Sequence, residues 1–409
     1  MTKHVFIVND IPVSLWGLSS SERLKRMLVR AGDFAFVKDL ASLPAGSSVL
    51  ILRADFLYDD RIIKRLTNEE NTLLQVSINK ELVPVAAVVT SQQAVQTSAI
   101  LSKGSLTADI PGVSTVRLQD WSSGFQEQLR KFDPPYVLPI AADNKLALEE
   151  HLYSGSYKGV TDLITKWAWP IPAKWVVRIC VKAGITPNAV TIFSLILTIF
   201  AGVCFAYGQY AIGLLAGWLM TFLDTVDGKL ARVTVTSSKI GHVLDHGLDI
   251  IHPPLWYIAW GMGLSIFTPP MSWLSLHNIF GIILAGYILG RVCEGLFQLW
   301  LGKFGLFCWR PFDSFNRLIT ARRNPSLILL SGSLCFGRPD LGLLAVVAWT
   351  VFSTFIIFIR LLSALVVKRI SGQPIRPWLA DIGTVIDSNS LAARTFTKPP
   401  LTRTIQSEE

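Results

Sequence analysis

Apolar and polar positions divide the chain into two parts with different patterns. Before about residue 140, short apolar runs alternate with polar stretches, and the runs HVFIV, SSVLILRA and PVAAVV predict β-strands. The segment SSERLKRMLVRAG has apolar residues at helical spacing, serines that can cap its start and Gly32 at its end. This part of the chain therefore predicts a small soluble α/β domain over residues 1–140.

Beyond residue 187 the apolar stretches become long enough to cross a membrane. A bilayer core of about 30 Å needs a helix of roughly 20 apolar residues. Thr186 and Pro187 supply a favourable N-cap and first helical position for the first stretch. The predicted spans are 188–207, 211–230, 242–267, 279–302, 320–337 and 341–367. The predicted fold class is an α-helical membrane protein with six transmembrane helices in a domain over 188–370, preceded by the small soluble α/β domain.

The segment between the two domains mixes tryptophans with basic residues. Residues 133–145, DPPYVLPIAADNK, predict a linker because prolines interrupt both helix and strand. Residues 146–183 predict amphipathic helices lying in the lipid headgroup layer, within a linker region over 141–187. Ordinary soluble amphipathic helices are the alternative. Residues 371–409 are polar and predict a loosely ordered C-terminal tail.

The charge distribution favours a membrane surface over nucleic acid as the partner. The net charge is +9, yet the basic residues lie mostly beside apolar segments and no nucleic-acid motif occurs. The connections 208–210 and 268–278 contain no Lys or Arg, whereas 303–323 contains several. The positive-inside rule then predicts a multi-pass protein of the inner or plasma membrane with both termini on the cytoplasmic side.

Four aspartates lie in the otherwise membrane-like stretch 224–249. A charged side chain at the centre of a bilayer costs about 3 kcal/mol or more, so four carboxylates need cations. Asp224 and Asp227 share one helix face, and Asp245 and Asp249 share a face of the next helix, because three- and four-residue spacings repeat on one side. Oxygen ligands of this kind suit Mg²⁺ first and Mn²⁺ second.

The spacing also carries a resemblance. The pattern DxxDGxxAR, then eight residues, then GxxxDxxxD resembles, without departure, the signature of the CDP-alcohol phosphatidyltransferase family. The resemblance implies an enzyme of phospholipid or related phosphodiester biosynthesis. Such an enzyme transfers a phosphoalcohol from a CDP-alcohol donor to an acceptor hydroxyl and releases CMP. The family also implies Mg²⁺ or Mn²⁺, with two ions expected, and a possible homodimer.

By the same resemblance each motif residue has an expected role. Asp249 is the expected general base, which takes the proton of the acceptor and can also touch the second metal ion. The expected metal ligands are Asp224, Asp227, Asp245 and Asp249. The expected nucleotide-binding residues are Asp224, Asp227, Gly228, Ala231, Arg232 and Gly241.

Three arginines are candidates for binding the acceptor, which could carry a phosphate. Arg322 and Arg323 lie where a basic connection re-enters the membrane. Arg291 and Glu294 lie three residues apart within the fourth predicted span, and an ionisable pair inside a membrane is a candidate site. Topological anchoring explains Arg322 and Arg323 equally well. A structural ion pair explains Arg291 and Glu294 equally well.

The N-terminal domain has a resemblance of its own. GLSSSERLKRMLVRAG and VLILRADFLYDDRIIKRL resemble part of a sugar-phosphate nucleotidyltransferase domain. Such a domain precedes the same membrane domain in bifunctional enzymes like inositol-phosphate cytidylyltransferase/di-myo-inositol phosphate phosphate synthase, and Asp55 would be its metal-binding aspartate. The glycine-rich loop expected before Gly17 is missing. The domain is therefore predicted to be inactive, with a role in binding, assembly or regulation. The alternatives are a bifunctional enzyme and, from another class, a cation transporter.

Overall fold

The structure is a computed structural model. It describes residues 3–105, 110–121, 124–236 and 239–397, and the backbone alone for residues 239–246 and 248. Within these residues an N-terminal α/β region is followed by a helical part.

The α/β region is built on a six-stranded sheet with the strand order β4-β1-β5-β8-β7-β9. Strand β1 runs parallel to β4 and β5, β8 runs antiparallel to β5 and β7, and β9 is parallel to β7. The strands are β1 (Lys3–Val8), β2 (Ser14–Leu15), β3 (Leu18–Ser19), β4 (Phe34–Phe36), β5 (Ser48–Arg53), β6 (Phe56–Tyr58), β7 (Thr72–Ile78), β8 (Glu81–Thr90), β9 (Ser114–Arg117), β10 (Phe125–Gln126), β11 (Lys131–Phe132) and β12 (Val137–Pro139). The helices are α1 (Ser20–Ala31), α2 (Asp60–Leu66) and α3 (Ser91–Lys103), with short 3₁₀ turns at Leu40–Ser42 and Leu118–Asp120.

Both faces of this sheet are covered. Along β5, Leu50 and Leu52 belong to the apolar cluster that includes α1 and α2. Val49 and Ile51, which point to the other face, belong to the cluster that includes α3. A strand buried on both faces is apolar at every position, which explains the continuous run SVLIL. The predicted α/β fold is confirmed, as are the helix at 20–31 and the three predicted strands.

The predicted linker at 133–145 contains a strand, so the prediction of a simple linker is wrong there. Strand β12 pairs antiparallel with β6, and Val137 is buried in the core of the α/β region. The chain then continues into α4 (Lys145–Gly155), a π-helical turn (Ile164–Ala168) and α5 (Pro170–Lys182). The apolar side chains of Ile171, Trp175 and Ile179 remain exposed along one side of α5. This exposed apolar side favours a helix that lies on a bilayer.

Between residues 187 and 371 the described part of the chain forms seven further helices. Of the described residues, α6, α7, α9 and α12 are long and apolar enough to cross a membrane. Helix α8 is as long as α7, whereas α11 has 13 residues, about 20 Å, and is short for a full span. The helices are α6 (Pro187–Ala206), α7 (Tyr210–Val233), α8 (Lys239–Met262), α9 (Leu276–Trp300), α10 (Pro311–Ile319), α11 (Arg323–Cys335) and α12 (Pro339–Ser371), with a 3₁₀ turn at Leu306–Cys308.

The first of these helices begins as the sequence predicts. The Thr186 side chain accepts a hydrogen bond from the Ala189 N–H, and Pro187 occupies the first helical turn. Helix α6 packs along α7 and α8, while α12 packs against α9 and α11. Gly263, after α8, lies so close to the α6–α7 turn that a Cβ there would stand 2.0 Å from the Phe205 carbonyl oxygen. This glycine permits the close contact between α6 and the end of α8.

The C-terminal segment is ordered, so the prediction of a loosely ordered tail is wrong for residues 371–397. It forms a 3₁₀ turn (Trp378–Asp381) and α13 (Leu391–Thr397). Trp378, Leu379 and Phe396 are buried in one apolar cluster with the end of α9 and with α12. The Trp378 Nε1–H donates to Ser314 Oγ on α10 at 2.9 Å. The remaining part of the predicted tail, 398–409, lies outside the described residues.

Candidate active site

Two of the predicted site aspartates project from α7. Asp224 and Asp227 lie three residues apart, and Asp227 is 5% exposed. The Thr191 hydroxyl on α6 lies 2.6 Å from Asp227 Oδ2 and can donate to it. A hydrogen bond to a buried carboxylate stabilises its charged form. Helix α6 therefore orients the second aspartate of the motif, a contact that the linear spacing does not reveal.

Asp249 on α8 meets the first aspartate through an arginine. Arg323, the first residue of α11, donates from Nη1 to Asp249 Oδ1 at 2.7 Å and from Nη2 to Asp224 Oδ2. The Arg323 side chain is 14% exposed, and that of Asp224 is 20% exposed. Because one guanidinium contacts both carboxylates, α7, α8 and α11 converge at a point where positive charge is favoured.

The glycine and the arginine of the motif are adjacent on α7. A Cβ at Gly228 would lie 3.0 Å from Arg232 Nη2. Glycine therefore lets the Arg232 guanidinium lie along the helix next to the aspartates. Ala231 is half-buried one residue earlier. The predicted Asp245 side chain lies outside the described residues, and for Gly241 only the helical backbone of α8 is described.

A divalent cation needs several oxygen or nitrogen ligands close together. Of the side chains that the structure describes, no three from His, Cys, Asp and Glu are close enough together to hold a metal ion. The described side chains do not include that of Asp245. The chemistry of the described carboxylates fits a hard cation, since Asp224 and Asp249 already share a positively charged guanidinium. The predicted ions remain a prediction.

Arg322 and Arg323 are neighbours in sequence but have different partners. Arg322 forms an ion pair with Glu294 on α9, and Arg291 Nη1 lies 3.8 Å from the same carboxylate. The Arg291 Nη2 also donates to Tyr287 Oη at 3.1 Å. These groups line a cavity of about 20 Å³ between α9, α12 and the connection 320–322 that precedes α11, which is room for roughly one water molecule. Its polar lining consists of Tyr287, Arg291, Glu294, Thr320, Arg322, Thr350, Ser353 and Thr354.

The predicted acceptor arginines thus fall into two groups. Arg291 and Arg322 share Glu294, whereas Arg323 belongs to the aspartate cluster. Tyr287 lies near both groups, because its hydroxyl can also donate to the Asp249 carbonyl oxygen at 3.4 Å. The cavity and the aspartate cluster are therefore neighbours rather than one continuous charge cluster.

A buried polar pair that the sequence analysis missed fixes the start of α11. Asp162 accepts hydrogen bonds from the Thr165 N–H at 3.0 Å and from Asn324 Nδ2 at 2.9 Å. Burial raises the pKa of Asp162, but the Arg317 charge and these hydrogen bonds outweigh burial and lower it. Because Asn324 follows Arg323 directly, this pair helps to hold the guanidinium in place. No pattern in the sequence marks Asp162, which lies between apolar and basic residues.

Lys158 is a second group that the sequence analysis missed. The Lys158 side chain is exposed at the surface. The crowding of protein around it and then the neighbouring Arg232 charge lower its pKa, and Asp224 and Asp249 act in the opposite direction. Lys229 on α7 fixes the turn that directly precedes Lys158. Its ammonium donates to the Ser156 carbonyl oxygen at 3.1 Å and lies 3.0 Å from the centre of the Tyr157 ring. The segment before α5 thus places a lysine within electrostatic range of the aspartates.

In the N-terminal region, the predicted metal-binding aspartate already has a cationic partner. The Arg53 guanidinium donates to Asp55 from Nε at 3.0 Å and from Nη2 at 2.6 Å. The Asp55 side chain is 22% exposed. A bidentate arginine engages both carboxylate oxygens, so a metal ion at Asp55 would have to displace it.

Comparison with known proteins bears on the helical part. Residues 184–309 match the CDP-alcohol phosphatidyltransferase family model. The matched segment contains the aspartate pattern and runs from the start of α6 to the loop before α10. The match supports the transferase class and agrees with the predicted membrane setting.

Individual relatives match over similarly limited segments. Cholinephosphotransferase 1 of Rattus norvegicus is 25% identical over 157 residues, which is 36% of this chain and 38% of the relative. Cholinephosphotransferase 1 of Xenopus laevis is 30% identical over 124 residues, which is 28% of this chain and 30% of the relative. Phosphatidylinositol phosphate synthase of Mycobacteroides abscessus is 33% identical over 89 residues, which is 20% of this chain and 40% of the relative. The chain therefore spans less than half the length of each of these relatives.

Proposed function

We propose that this protein is an integral membrane CDP-alcohol phosphotransferase. It transfers a phosphoalcohol from a CDP-alcohol to an acceptor hydroxyl with release of CMP, in phospholipid or related phosphodiester biosynthesis. The convergence of Asp224 and Asp249 on the Arg323 guanidinium carries this proposal. It brings together two helices that hold the two halves of the aspartate motif, inside the segment that matches the family.

The chain's own residues have distinct roles in the proposed reaction. Asp249 accepts the proton of the acceptor hydroxyl while the acceptor oxygen bonds to the phosphorus and the bond to CMP breaks. The side chain of Asp249 is 43% exposed, so an acceptor can reach it. Arg232 and Lys158 supply positive charge for the donor phosphates, and Gly228 leaves room beside Arg232.

The proposed cofactor is Mg²⁺ or Mn²⁺, with two ions held by Asp224, Asp227, Asp245 and Asp249. When bound, such ions neutralise the donor pyrophosphate and orient the reacting oxygens. Thr191 keeps Asp227 oriented for this role through its hydroxyl. Arg323 would then exchange its carboxylate partners for donor phosphate oxygens, which a guanidinium binds equally well.

The proposed acceptor-binding groups are Arg291 and Arg322 at the border of the cavity between α9 and α12. The cavity itself has room for roughly one water molecule, so the acceptor would lie beside it rather than inside it. Two guanidinium groups share one carboxylate there, so the site carries excess positive charge. A phosphate on the acceptor would complete the charge balance. Tyr287 links this cavity to Asp249 and would place the acceptor hydroxyl near the base.

The names of the relatives set the donors and acceptors to test. Two relatives are named cholinephosphotransferase and one phosphatidylinositol phosphate synthase. A CDP-activated choline donor tested with hydroxyl acceptors, and a phosphatidyl donor tested with an inositol phosphate acceptor, therefore belong in the first panel. The excess of arginine in the cavity favours the phosphorylated acceptor.

For the N-terminal domain we propose that it makes no CDP-alcohol of its own. The bidentate Arg53 contact to Asp55 supports an inactive site. We further propose six membrane spans, with both termini and the active site on the cytoplasmic side. A homodimer is also part of the proposal.

Metal-dependent CMP release tests the proposed function. Purified full-length protein in detergent is incubated with each CDP-alcohol and acceptor, with Mg²⁺, with Mn²⁺ and with a chelator. The proposal expects CMP only when a divalent ion and a suitable pair are present. Cation flux into vesicles without CMP release would instead favour the transporter. Pyrophosphate release from CTP and a polyol phosphate would favour the bifunctional enzyme.

A further inference from the structure

The C-terminal end of α7 packs against α5 and α6, and the soluble domain holds it as well. Arg23 of α1 is 4% exposed and donates from Nη2 to the Val233 carbonyl oxygen at 2.6 Å and to the Leu15 carbonyl oxygen at 3.1 Å. Arg26, one turn away, donates from Nη1 to the Thr234 carbonyl oxygen at 3.0 Å. The Val233 and Thr234 carbonyls are among those that a helix end leaves without intrahelical partners.

Both arginines also suit the end of α7 electrostatically. The C-terminus of a helix carries partial negative charge, so cations there stabilise it. Burial lowers the pKa of Arg23 to about 10, which leaves the guanidinium charged at neutral pH. Arg26 is held in position by Glu22, whose Oε1 lies 3.0 Å from its Nε. The soluble domain thus supplies two fixed positive charges to the helix that carries the motif.

The residue after this helix end is anchored in the soluble domain. The Thr236 N–H donates to Ala231 O at 3.0 Å and the Val235 N–H to Arg232 O at 3.4 Å, the pattern of a Schellman cap. Val235 occupies the left-handed position of this cap with φ of 53°, where glycine is the usual residue. A β-branched residue is strained in this conformation. Val235 is nevertheless 6% exposed and belongs to the same apolar core as Leu24 and Met27 of α1.

A third contact comes from the hairpin that precedes α1. Strands β2 and β3 form a hairpin whose turn residues, Trp16 and Gly17, both have positive φ. Trp16 is buried in one cluster with Val226, Leu230 and Val233 of α7. This hairpin therefore packs on the helix that carries the aspartates.

We propose that the soluble domain is a positioning module for the active site. Through Arg23, Arg26 and Val235 it sets the last turn of α7, and with it Ala231 and Arg232. These are positioning residues, since they touch the helix end and not the substrate. The inference rests on the proposed function, in which that turn of α7 binds the nucleotide of the donor. It predicts that loosening the contact weakens donor binding and leaves acceptor binding unchanged.

The test uses full-length variants in nanodiscs. R26A removes one contact to α7, R26K restores the charge, and R30A is the matched control. Arg30 lies one turn further along α1 and pairs with Asp60 at 3.6 Å. V235G keeps a residue suited to the helix cap but removes the side chain that anchors it. The readouts are the KM values for the CDP-alcohol and the acceptor, and amide hydrogen exchange over residues 230–236.

The expected results separate positioning from general stability. R26A and V235G should raise the donor KM by about three- to tenfold, with the acceptor KM nearly unchanged. Exchange at 230–236 should become about tenfold faster in R26A. R26K should recover much of the loss, and R30A should match the parent.

The inference is overturned if R26A and V235G keep the parent's donor KM, or change both KM values alike. It is also overturned if R26A exchanges at 230–236 no faster than R30A. A parent protein that releases no CMP from any donor defeats the proposed function instead. Hydrogen exchange would still report whether the soluble domain holds α7 in that case.

Discussion

Replacing Arg323 with glutamine should destabilise the protein mainly when divalent metal is absent. The guanidinium of Arg323 neutralises Asp224 and Asp249, which face each other across α7 and α8. Without it, the two carboxylates lose a shared cation and repel each other. Metal ions held by the same carboxylates would supply the missing positive charge.

The magnitude follows from how deeply the groups are buried. Removing one partner of a fully buried ion pair costs about 3–5 kcal/mol. The Asp249 side chain is 43% exposed, and an exposed ion pair contributes less than about 1 kcal/mol to stability. The contribution of the Arg323–Asp249 pair is therefore reduced toward that value. A loss of roughly 2–3 kcal/mol is therefore expected in chelator. At about 2 °C per kcal/mol for a chain of this size, the melting temperature should fall by roughly 4–6 °C.

The assay is thermal unfolding of the detergent-solubilised protein in chelator and in a Mg²⁺ series, with R322Q as the control. Arg322 is the preceding residue and is similarly shielded, but its partner is Glu294. Mg²⁺ should recover most of the stability lost in R323Q. The Mg²⁺ concentration that gives half of the maximal rise in melting temperature should be lower in R323Q than in the parent, because no arginine competes for the carboxylates. R322Q should be destabilised equally with and without metal. Equal metal responses in R323Q, R322Q and the parent would refute the idea that the cation and Arg323 share carboxylates.

Four further outcomes are expected. D249N should abolish transfer while largely keeping metal-dependent donor binding, measured by calorimetry, because the amide keeps the shape but cannot take a proton. D227A should weaken metal and donor binding together, and an unchanged metal dependence of activity would exclude it as a ligand. R322A or R291A should raise the KM of a phosphorylated acceptor by about tenfold or more at nearly constant donor KM, whereas normal kinetics in correctly inserted protein would leave anchoring as the explanation. Full-length protein should release no pyrophosphate from CTP with polyol phosphates. Pyrophosphate release that disappears when Asp55 is replaced with asparagine would instead support the bifunctional enzyme.

The sequence was sufficient for the elements with a strong pattern. The run SVLIL is apolar throughout because both faces of β5 are covered, and the helix at 20–31 carries its cap and its terminal glycine in the sequence. Thr186 and Pro187 likewise mark the start of α6. In each case the local signal and the tertiary environment agree, so the pattern could be interpreted without knowing the fold.

Other elements depended on contacts that no local pattern records. Strand β12 has three residues and includes Pro139, so only its pairing with β6 makes it a strand. The C-terminal segment is polar on average, yet Trp378 and Phe396 are buried against the helical part. The average composition of the segment does not reveal these two buried aromatic residues, and a few large side chains are enough to bind a segment to a protein core.

For the active site, spacing predicted which aspartates share a helix face but not their partners. The Asp227 contact to Thr191 and the Arg323 bridge join residues far apart in the chain. Their existence depends on how α6, α7, α8 and α11 pack. Arg322 and Arg323 look equivalent in the sequence. Arg322 is the extended N-cap residue before α11 and Arg323 is the first helical residue, so their side chains leave the backbone in different directions and reach different partners.

The most direct test of the central claim is to follow the transferred group itself. Purified full-length protein is given a CDP-alcohol labelled with ¹³C in the alcohol, a phosphorylated or unphosphorylated acceptor, and Mg²⁺, and the products are analysed by mass spectrometry. The account predicts a labelled phosphodiester and CMP in equal amounts, both lost in chelator and in D249N. Labelled donor that stays intact with every acceptor, in folded protein supplied with Mg²⁺ or Mn²⁺, would contradict it.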